Sequence, residues 1–357
     1  MVKTIIDRIS LLLTLVLAGF TLAGAFASYI PPGNSYLIAF LGLALPILLF
    51  FNFIIAVYWA IRWKYWVFIP LFAIVCNTGY LSRIFQISFS TPASATSVLS
   101  IATYNVDGFG NDHTNYSCTE IARYMKEHHV DIICFQEFAG NSDITPDSIK
   151  AIFAEWPYQL IPRSDSFPIL QVALFSRYPI RNSMLITYPD SKNCSMWGDI
   201  QVEGHTIRVF NNHLQTTEVS QNRRRLEREL HTGKEEGAFR RLLNGLKENF
   251  TKRASQAEYV ERLIQATPYP TLVCGDFNSL PSSYTYHTIK GDNLKDGFQT
   301  CGHGYMYTYR YFKRLLRIDY IFHTKDFEGI DYYSPRLHLN GDHNPVVMKV
   351  QLSDQPI

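Results

Sequence analysis

LVCGDFNSLP, residues 272–281, joins an apolar run to a glycine and then to a carboxylate and a carboxamide two positions apart, Asp276 and Asn278. In an extended chain, residues i and i+2 point to the same side. Asp276 and Asn278 can therefore face one ligand from the end of a buried strand. Taken alone, the stretch is equally a turn, because Gly, Asp, Asn, Ser and Pro are the usual turn residues. The rest of the chain decides between the two.

The same arrangement recurs outward from this segment. IATYN ends on Asn105, and Asp107 follows it; DIICFQE ends on Glu137; IRVFNNH ends on His213; RIDYIF carries Asp319; Asp342 and His343 precede the apolar PVVMKVQL. Each has a plain structural explanation, as a strand-end cap, a turn or a bonded buried polar group. Together they place polar chemistry at the ends of apolar strands, where layered α/β folds hold their active sites. Glu, Asp and Asn oxygens suit Mg²⁺, with Mn²⁺ or Ca²⁺ as substitutes. No cysteine pair has zinc spacing. No Gly-x-Ser-x-Gly elbow, phosphate loop of the Walker type or Gly-x-Gly-x-x-Gly is present, which argues against serine hydrolases, P-loop enzymes and dinucleotide enzymes.

Strand-like runs at 100–105, 131–137, 171–176, 182–187, 198–202, 206–214, 272–276, 305–312, 317–323 and 345–352, with few helices between them, predict one mixed-sheet α/β or α+β domain over 99–357. Ser117 and Glu120 have capping-box spacing and predict a helix to about 129. A long helical region is expected over 219–267. Within it, 221–253 carries ten Lys and Arg against five Glu. Its apolar positions Phe239, Leu242, Leu243, Leu246 and Phe250 fall on one helical face. Such a helix either packs on its own domain or lies on anionic lipid. In 305–312 the tyrosines 305, 307, 309 and 311 share one side of an extended chain. They serve either as strand packing or as a stacking row for a base or headgroup.

The N-terminal quarter is different. No Asp, Glu, Lys, Arg or His occurs from 9 to 61, although mean hydropathy over the chain is only −0.05. PPGNSY divides this run into spans 9–30 and 37–61, each longer than the roughly 20 residues that cross a bilayer. A shorter third span is expected over 65–82, and FSTPASATSV supplies a linker at 87–98. The first span also fits a signal peptide, with Lys3 and Arg8 before it and Ala25-Phe26-Ala27 as a small-residue site. Lys3, Arg8, Arg62 and Lys64 place the N terminus and the 62–64 loop in the cytoplasm. Three crossings then put the catalytic domain on the outer, periplasmic or extracellular side of a multi-pass membrane protein; two would leave it inside. The six cysteines show no framework spacing, and one bridge among Cys118, Cys194 and Cys301 remains open. Net charge is +2, so no overall basic bias marks a nucleic-acid binder.

TYNVDG, CFQEF, NNHL, GDFN, RIDYIF and GDHNPV occur in that order from 103 to 346. On these segments the chain resembles the endonuclease/exonuclease/phosphatase superfamily, which includes pancreatic deoxyribonuclease, abasic-site endonucleases, inositol-polyphosphate phosphatases and neutral sphingomyelinases. The resemblance implies a four-layer sandwich, two packed mixed β-sheets flanked by helices, here preceded by a membrane-anchored region. It implies a Mg²⁺-dependent hydrolase of phosphate esters: Glu137 as the main metal ligand with Asn105 beside it, and Asp107 and Asp342 as further acidic ligands. Asp276 and Asn278 would orient water and phosphoryl oxygens, His213 would bind phosphate, and Asp342–His343 would form the terminal pair, Asp342 fixing the imidazole tautomer. Asp319 matches the aspartate of the strand before that pair. Asp107 matches the abasic-site endonuclease branch, and Gly341 departs from the usual Ser before Asp-His. The expected partners are the lipid bilayer and a phosphate ester, in a lipid headgroup or a small molecule. External DNA or RNA is the alternative substrate, and a non-catalytic binding module the third reading.

Overall fold

The structure is a computed structural model that describes residues 2–87, 98–110, 114–139, 145–162, 171–217 and 235–353. The linker expected at 87–98 lies outside these apart from its two end residues, as does the basic stretch 221–234. The chain divides into two units: Met1–Arg83 with Thr217–Ser255 and Leu280–Thr288, and Ile84–Thr216 with Gln256–Ser279 and Ile289–Ile357.

The first unit holds helices α1 (Val2–Ala25), α2 (Tyr36–Ile61), α3 (Phe68–Val75) and α4 (Thr78–Leu81). Two helices, Lys3–Ser28 and Tyr36–Ile61, are long and apolar enough to cross a membrane by length and composition. They turn residues such as Leu12, Leu13, Phe20, Phe50 and Phe53 outward and pair internally through polar groups. Trp59 Nε1 donates to Thr14 Oγ1 (2.9 Å) and Asn52 Nδ2 to Thr21 Oγ1 (2.6 Å), the usual glue where no hydrophobic drive holds helices together. The expected 65–82 helix is not continuous. Its apolar part, Tyr65–Val75, is about 16 Å long at 1.5 Å per residue. The chain turns at Cys76–Asn77, where Asn77 Nδ2 bonds Ala73 O instead of extending the helix.

The two ends of this unit are distinct. At one, Arg62 pairs with Asp7 at 2.6 Å. At the other, Ser28 Oγ donates to Ser282 O (3.1 Å), Ser282 Oγ to Gly42 O (2.8 Å) and Arg83 to Pro281 O (2.8 Å). The chain from Arg62 to Arg83 thus runs the length of the unit.

The second unit contains β1 (Phe85–Gln86), β2 (Leu99–Asn105), helix α5 (Tyr116–Glu127), β3 (Ile132–Gln136), α6 (Pro146–Ile152), β4 (Tyr158–Leu160), β5 (Ala173–Ser176), β6 (Ile180–Thr187), β7 (Cys194–Val202) and β8 (His205–His213). Helix α7 (Glu235–Gln265) is shared between the units. Its first half, in the helical unit, sets Phe250 against Phe40 (5.5 Å) and Lys247 over the Tyr36 ring (4.1 Å). Then come β9 (Thr271–Asp276), α8 (Tyr284–Lys290), β10 (Leu294–Asp296), α9 (Gly297–Cys301), β11 (Gly304–Tyr305), β12 (Asp319–Thr324), β13 (Phe327–Tyr333) and β14 (Val346–Leu352).

Two six-stranded mixed sheets carry the fold, in the orders β10-β12-β9-β8-β7-β6 and β13-β14-β2-β3-β5-β4. In each, the central pair is parallel, β8 with β9 and β2 with β3. Parallel strands buried on both faces read as near-continuous apolar runs. Ile101, Cys134, Val209, Cys274 and Met348 fill the core between the sheets. The alternate residues Ala102, Ile133 and Phe135 pack outward against Ile121 and Met125 of α5 and Ile149 of α6. All six cysteines are free. The capping box is not formed: Asn115, in a left-handed conformation, caps α5 without a side-chain bond, and Ser117 lies inside the helix. The tyrosine row is extended only in part. Met306 and Thr308 are buried while 305, 307 and 309 alternate outward, and the chain turns away after Arg310.

Candidate active site

Topology brings the strand-end polar groups together. Asn105 ends β2, and Glu137 follows β3, parallel to it. His213 and Asp276 end the parallel strands β8 and β9 as register partners, and Asp319 opens antiparallel β12 opposite Asp276. His343 precedes β14, whose first residue pairs with Thr103 near the end of β2. Gly275 is required at its place: its φ is +133°, and a Cβ there would lie 1.9 Å from Asn212 O on β8. The glycine lets two backbones close up just before Asp276. The stretch 275–278 is therefore a turn, and it is the turn that sets Asp276 among the other strand-end polar groups. Glu137, Asn278 and Asp107 hold positive φ of 50°, 50° and 46°, sparsely populated conformations that gather where side chains must be aimed.

Asp276 is the hub. Its Oδ2 accepts from Asn105 Nδ2 (3.1 Å) and lies 3.7 Å from His343 Nε2 and 3.9 Å from His213 Nε2. Its Oδ1 accepts from the Asn278 backbone N–H (2.8 Å). Asn105 Nδ2 also donates to Glu137 Oε1 (3.2 Å), and its Oδ1 takes the Asp107 N–H (3.1 Å). As oriented, Asn105 ties two carboxylates together by its amino group. The Asn278 side chain donates to Leu214 O (3.0 Å), holding the turn to the end of β8.

His343 corrects one expectation. Its Nδ1 bonds Asp319 Oδ2 at 2.9 Å, whereas Asp342 Oδ1 stands 3.8 Å from Nε2. The carboxylate that orients this imidazole is Asp319, because antiparallel β12 delivers it beside Asp276, while Asp342 sits on the loop outside. Burial pulls the His343 pKa down, but the Asp319 and Asp276 carboxylates overcome this and carry it up to about 10. His213, fully buried, is pushed down to about 4 by desolvation, and neither of its ring nitrogens has a hydrogen-bond partner among the described residues. A buried polar group without a partner is costly, which makes this ring a candidate ligand contact. Burial and then Asp319 shift Asp276 upward.

A second, more open group lies beside this. Burial, then Asp342 and Glu137, push Asp107 up to about 6, and burial likewise raises Glu137. Two carboxylates pushed upward beside the acidic Asp342 are relieved by a divalent cation, and the hard oxygens of all three are the donors Mg²⁺ takes. The residues present fit such an ion. Asp276, Asp319 and His343 also offer one donor atom each within 4.8 Å, but His343 and Asp319 spend theirs on each other.

Several residues were not visible as site residues in the sequence. Arg310, inside the tyrosine row, takes the Asn344 side chain (3.0 Å) and the carbonyls of Gly341 (2.9 Å), Leu339 and Leu337, while its own N–H reaches Asp342 O (2.7 Å). It grips the loop that carries Asp342 and His343. Tyr309 sets its ring 5.0 Å from that of His343. Thr308 Oγ1 accepts from the Ile318 and Asp319 backbone N–H groups. Gln136 and Asn211 bond each other (2.6 Å) across the sheets below the site. Gly341 has open space where a Cβ would stand, so a serine would fit there.

No curated protein sequence matches this chain. Among solved structures, an endonuclease/exonuclease/phosphatase from Bacteroides vulgatus aligns with TM-score 0.50 at 20% identity, covering 72% of this chain and 100% of that one. An endonuclease/exonuclease/phosphatase family protein from Leptotrichia buccalis aligns with TM-score 0.52 at 16% identity, covering 71% and 100%. A humanized D. rerio TDP2 aligns with TM-score 0.50 at 17%, covering 72% and 100%. At these identities the likeness is one of fold. A domain of unknown function (DUF8431) matches residues 7–84. The endonuclease/exonuclease/phosphatase family profile matches residues 102–343; the chain belongs to that family of phosphoric ester hydrolases.

Proposed function

We propose that this protein is a membrane-anchored, divalent-metal-dependent hydrolase of phosphodiesters in lipid headgroups. The observation that carries the catalytic reading is Asp276, held between Asn105, Asn278, His213 and a charged His343. Glu137, Asp107 and Asp342 would hold Mg²⁺, which supplies charge neutralisation at a non-bridging phosphoryl oxygen. Asp276, its pKa raised toward neutrality, takes the proton of the attacking water. His343, kept protonated by Asp319, donates to the phosphoryl group, and neutral His213 supplies a hydrogen bond from its otherwise unpartnered ring, as the bond from phosphorus to the ester oxygen breaks and that oxygen leaves as the alcohol, protonated from solvent. Asp319 holds His343 in place, and Asn278 shapes the turn that aims Asp276.

The lipid reading is supported by the helical unit. Lys3, Arg8, Arg62 and Lys64 gather at the Asp7–Arg62 end, the cytoplasmic end by charge. Arg83 lies at the opposite end of the helical unit, which supports the reading of three crossings, and with three crossings an outer catalytic domain follows from the charge rule. A tethered site meets lipids at high effective concentration. The domain bounds 1–86, 87–98 and 99–357 remain our reading of the anchor, linker and hydrolase in sequence. Cleavage of external nucleic acid is the second reading, favoured by Asp107.

The test is turnover by the full-length protein in nanodiscs, with phospholipid, sphingomyelin, inositol phosphate and DNA side by side, with and without EDTA. Phospholipid or sphingomyelin hydrolysis that EDTA abolishes is expected. DNA cleavage without lipid turnover would establish the second reading.

A further inference from the structure

Past Tyr309, which bridges Leu316 and His343, the chain builds an exposed tip. Tyr311, Phe312 and Leu315 are 60%, 50% and 43% exposed. Phe312, Lys313 and Arg314 hold φ of 51°, 54° and 60° in succession. Left-handed conformations cost non-glycine residues about 1 kcal/mol or more each, so three in a row are kept only where the fold holds them. Here the base is pinned: Tyr305 Oη donates to Arg314 O (3.1 Å), and Arg314 N–H to Tyr311 O (3.1 Å). Lys313 and Arg314 are both exposed, with no ionic partner among the described residues. The tip is continuous with the site, because Tyr309 touches His343 on one side (5.0 Å) and Phe312 on the other (6.3 Å).

We propose that this tip, 311–315, is a docking finger for an anionic lipid surface, holding the headgroup layer beside His343. The proposal rests on the lipid reading given above. Aromatic rings with adjacent cations suit either a headgroup layer or a single-stranded nucleic acid. Leu315 decides for lipid, since an aliphatic side chain adds nothing to a base stack but gains by leaving water. The partner is also at hand: the same chain carries two helices of spanning length. Lys313 and Arg314 match the negative charge of anionic headgroups, which attracts exposed cations near such a surface.

Two measurements on the full-length protein in phosphatidylglycerol nanodiscs test this. A nitroxide on Phe312→Cys, in a background with Cys76→Ala and Cys301→Ala, reports depth. Greater relaxation by oxygen than by a water-soluble nickel chelate is expected; the reverse overturns the proposal. The variant Phe312→Ser/Leu315→Ser should lose about tenfold in kcat/KM on phospholipid in the disc. It should stay within about twofold of wild type on soluble bis(p-nitrophenyl) phosphate, which also shows that it is folded. Equal losses on both substrates, no loss on either, or a loss confined to single-stranded oligonucleotides would overturn lipid docking. If wild type turns over no lipid while the label sits in the bilayer, docking stands and the lipid-substrate reading falls.

Discussion

Asp319→Asn separates the observed orientation of His343 from the alternative in which Asp342 governs it. The substitution keeps the shape of the side chain and its backbone bonds to Thr308, and removes the charge 2.9 Å from Nδ1. Both partners are buried, so water cannot replace the lost partner. His343 is carried to about 10 in the folded protein. Neutralising it at pH 7 therefore corresponds to three units at about 1.4 kcal/mol each, on the order of 4 kcal/mol. That agrees with the roughly 3–5 kcal/mol lost when one member of a buried pair is removed. In the variant, burial is opposed only by the Asp276 and Asp342 carboxylates, and the ring's pKa should fall and its charge at pH 7 be lost or reduced. A lost donor to the phosphoryl group costs on the order of 100- to 1,000-fold in kcat. Stability gives an independent sign. A histidine whose folded pKa is raised contributes stability fully present below its ordinary value, about 6.5, and lost as pH rises toward about 10. The metal-free wild type should lose melting temperature between pH 7 and 10 through this group, and Asp319→Asn should lack that component. The assays are kcat on a soluble phosphodiester and melts at pH 7 and 10. Turnover within threefold of wild type with an unchanged pH dependence of melting would refute the reasoning, and the same effects from Asp342→Asn would return the orienting role to Asp342.

Asp276→Asn should lower kcat on the order of a hundredfold or more with little change in melting temperature, because an amide oxygen can still accept from Asn278 N–H; wild-type turnover would reduce the segment to a turn. EDTA should abolish activity, Mg²⁺ or Mn²⁺ should restore it, and Glu137→Gln should weaken Mg²⁺ binding in calorimetry on the order of tenfold or more; full activity in EDTA would remove the metal. Arg310→Ala should cost about 1–3 kcal/mol by leaving several part-buried carbonyls without donors, with Arg310→Lys failing to rescue it, since an ammonium lacks the planar fork; thermal melts decide. Protease outside intact spheroplasts should cut the catalytic unit; protection until lysis would mean two crossings and a cytoplasmic site.

The strands with strong apolar runs were legible, and with them their polar ends: Asn105, Glu137, His213 and Asp276 close or follow runs that no other element would bury so fully. Strands without such runs were not. β13 is FEGIDYY, half-exposed and interrupted by Gly and charge, and it forms because β14 offers it an edge, a tertiary effect that local pattern does not carry. The same limit explains Asp342 and Asp319. In sequence Asp342 adjoins His343 and looks like its partner, while Asp319 lies 24 positions away. Adjacent residues on an extended chain point to opposite sides, so the neighbour is badly placed to reach Nδ1. The carboxylate that does reach it comes from another strand, through the pairing of Asp319 with Asp276. Arg310 was hidden for a related reason: its acceptors are mostly backbone carbonyls, which leave no mark in residue type. The six segments named which polar residues lie together at the strand ends; the partner of each group follows from strand register, and register is set by the two sheets as wholes.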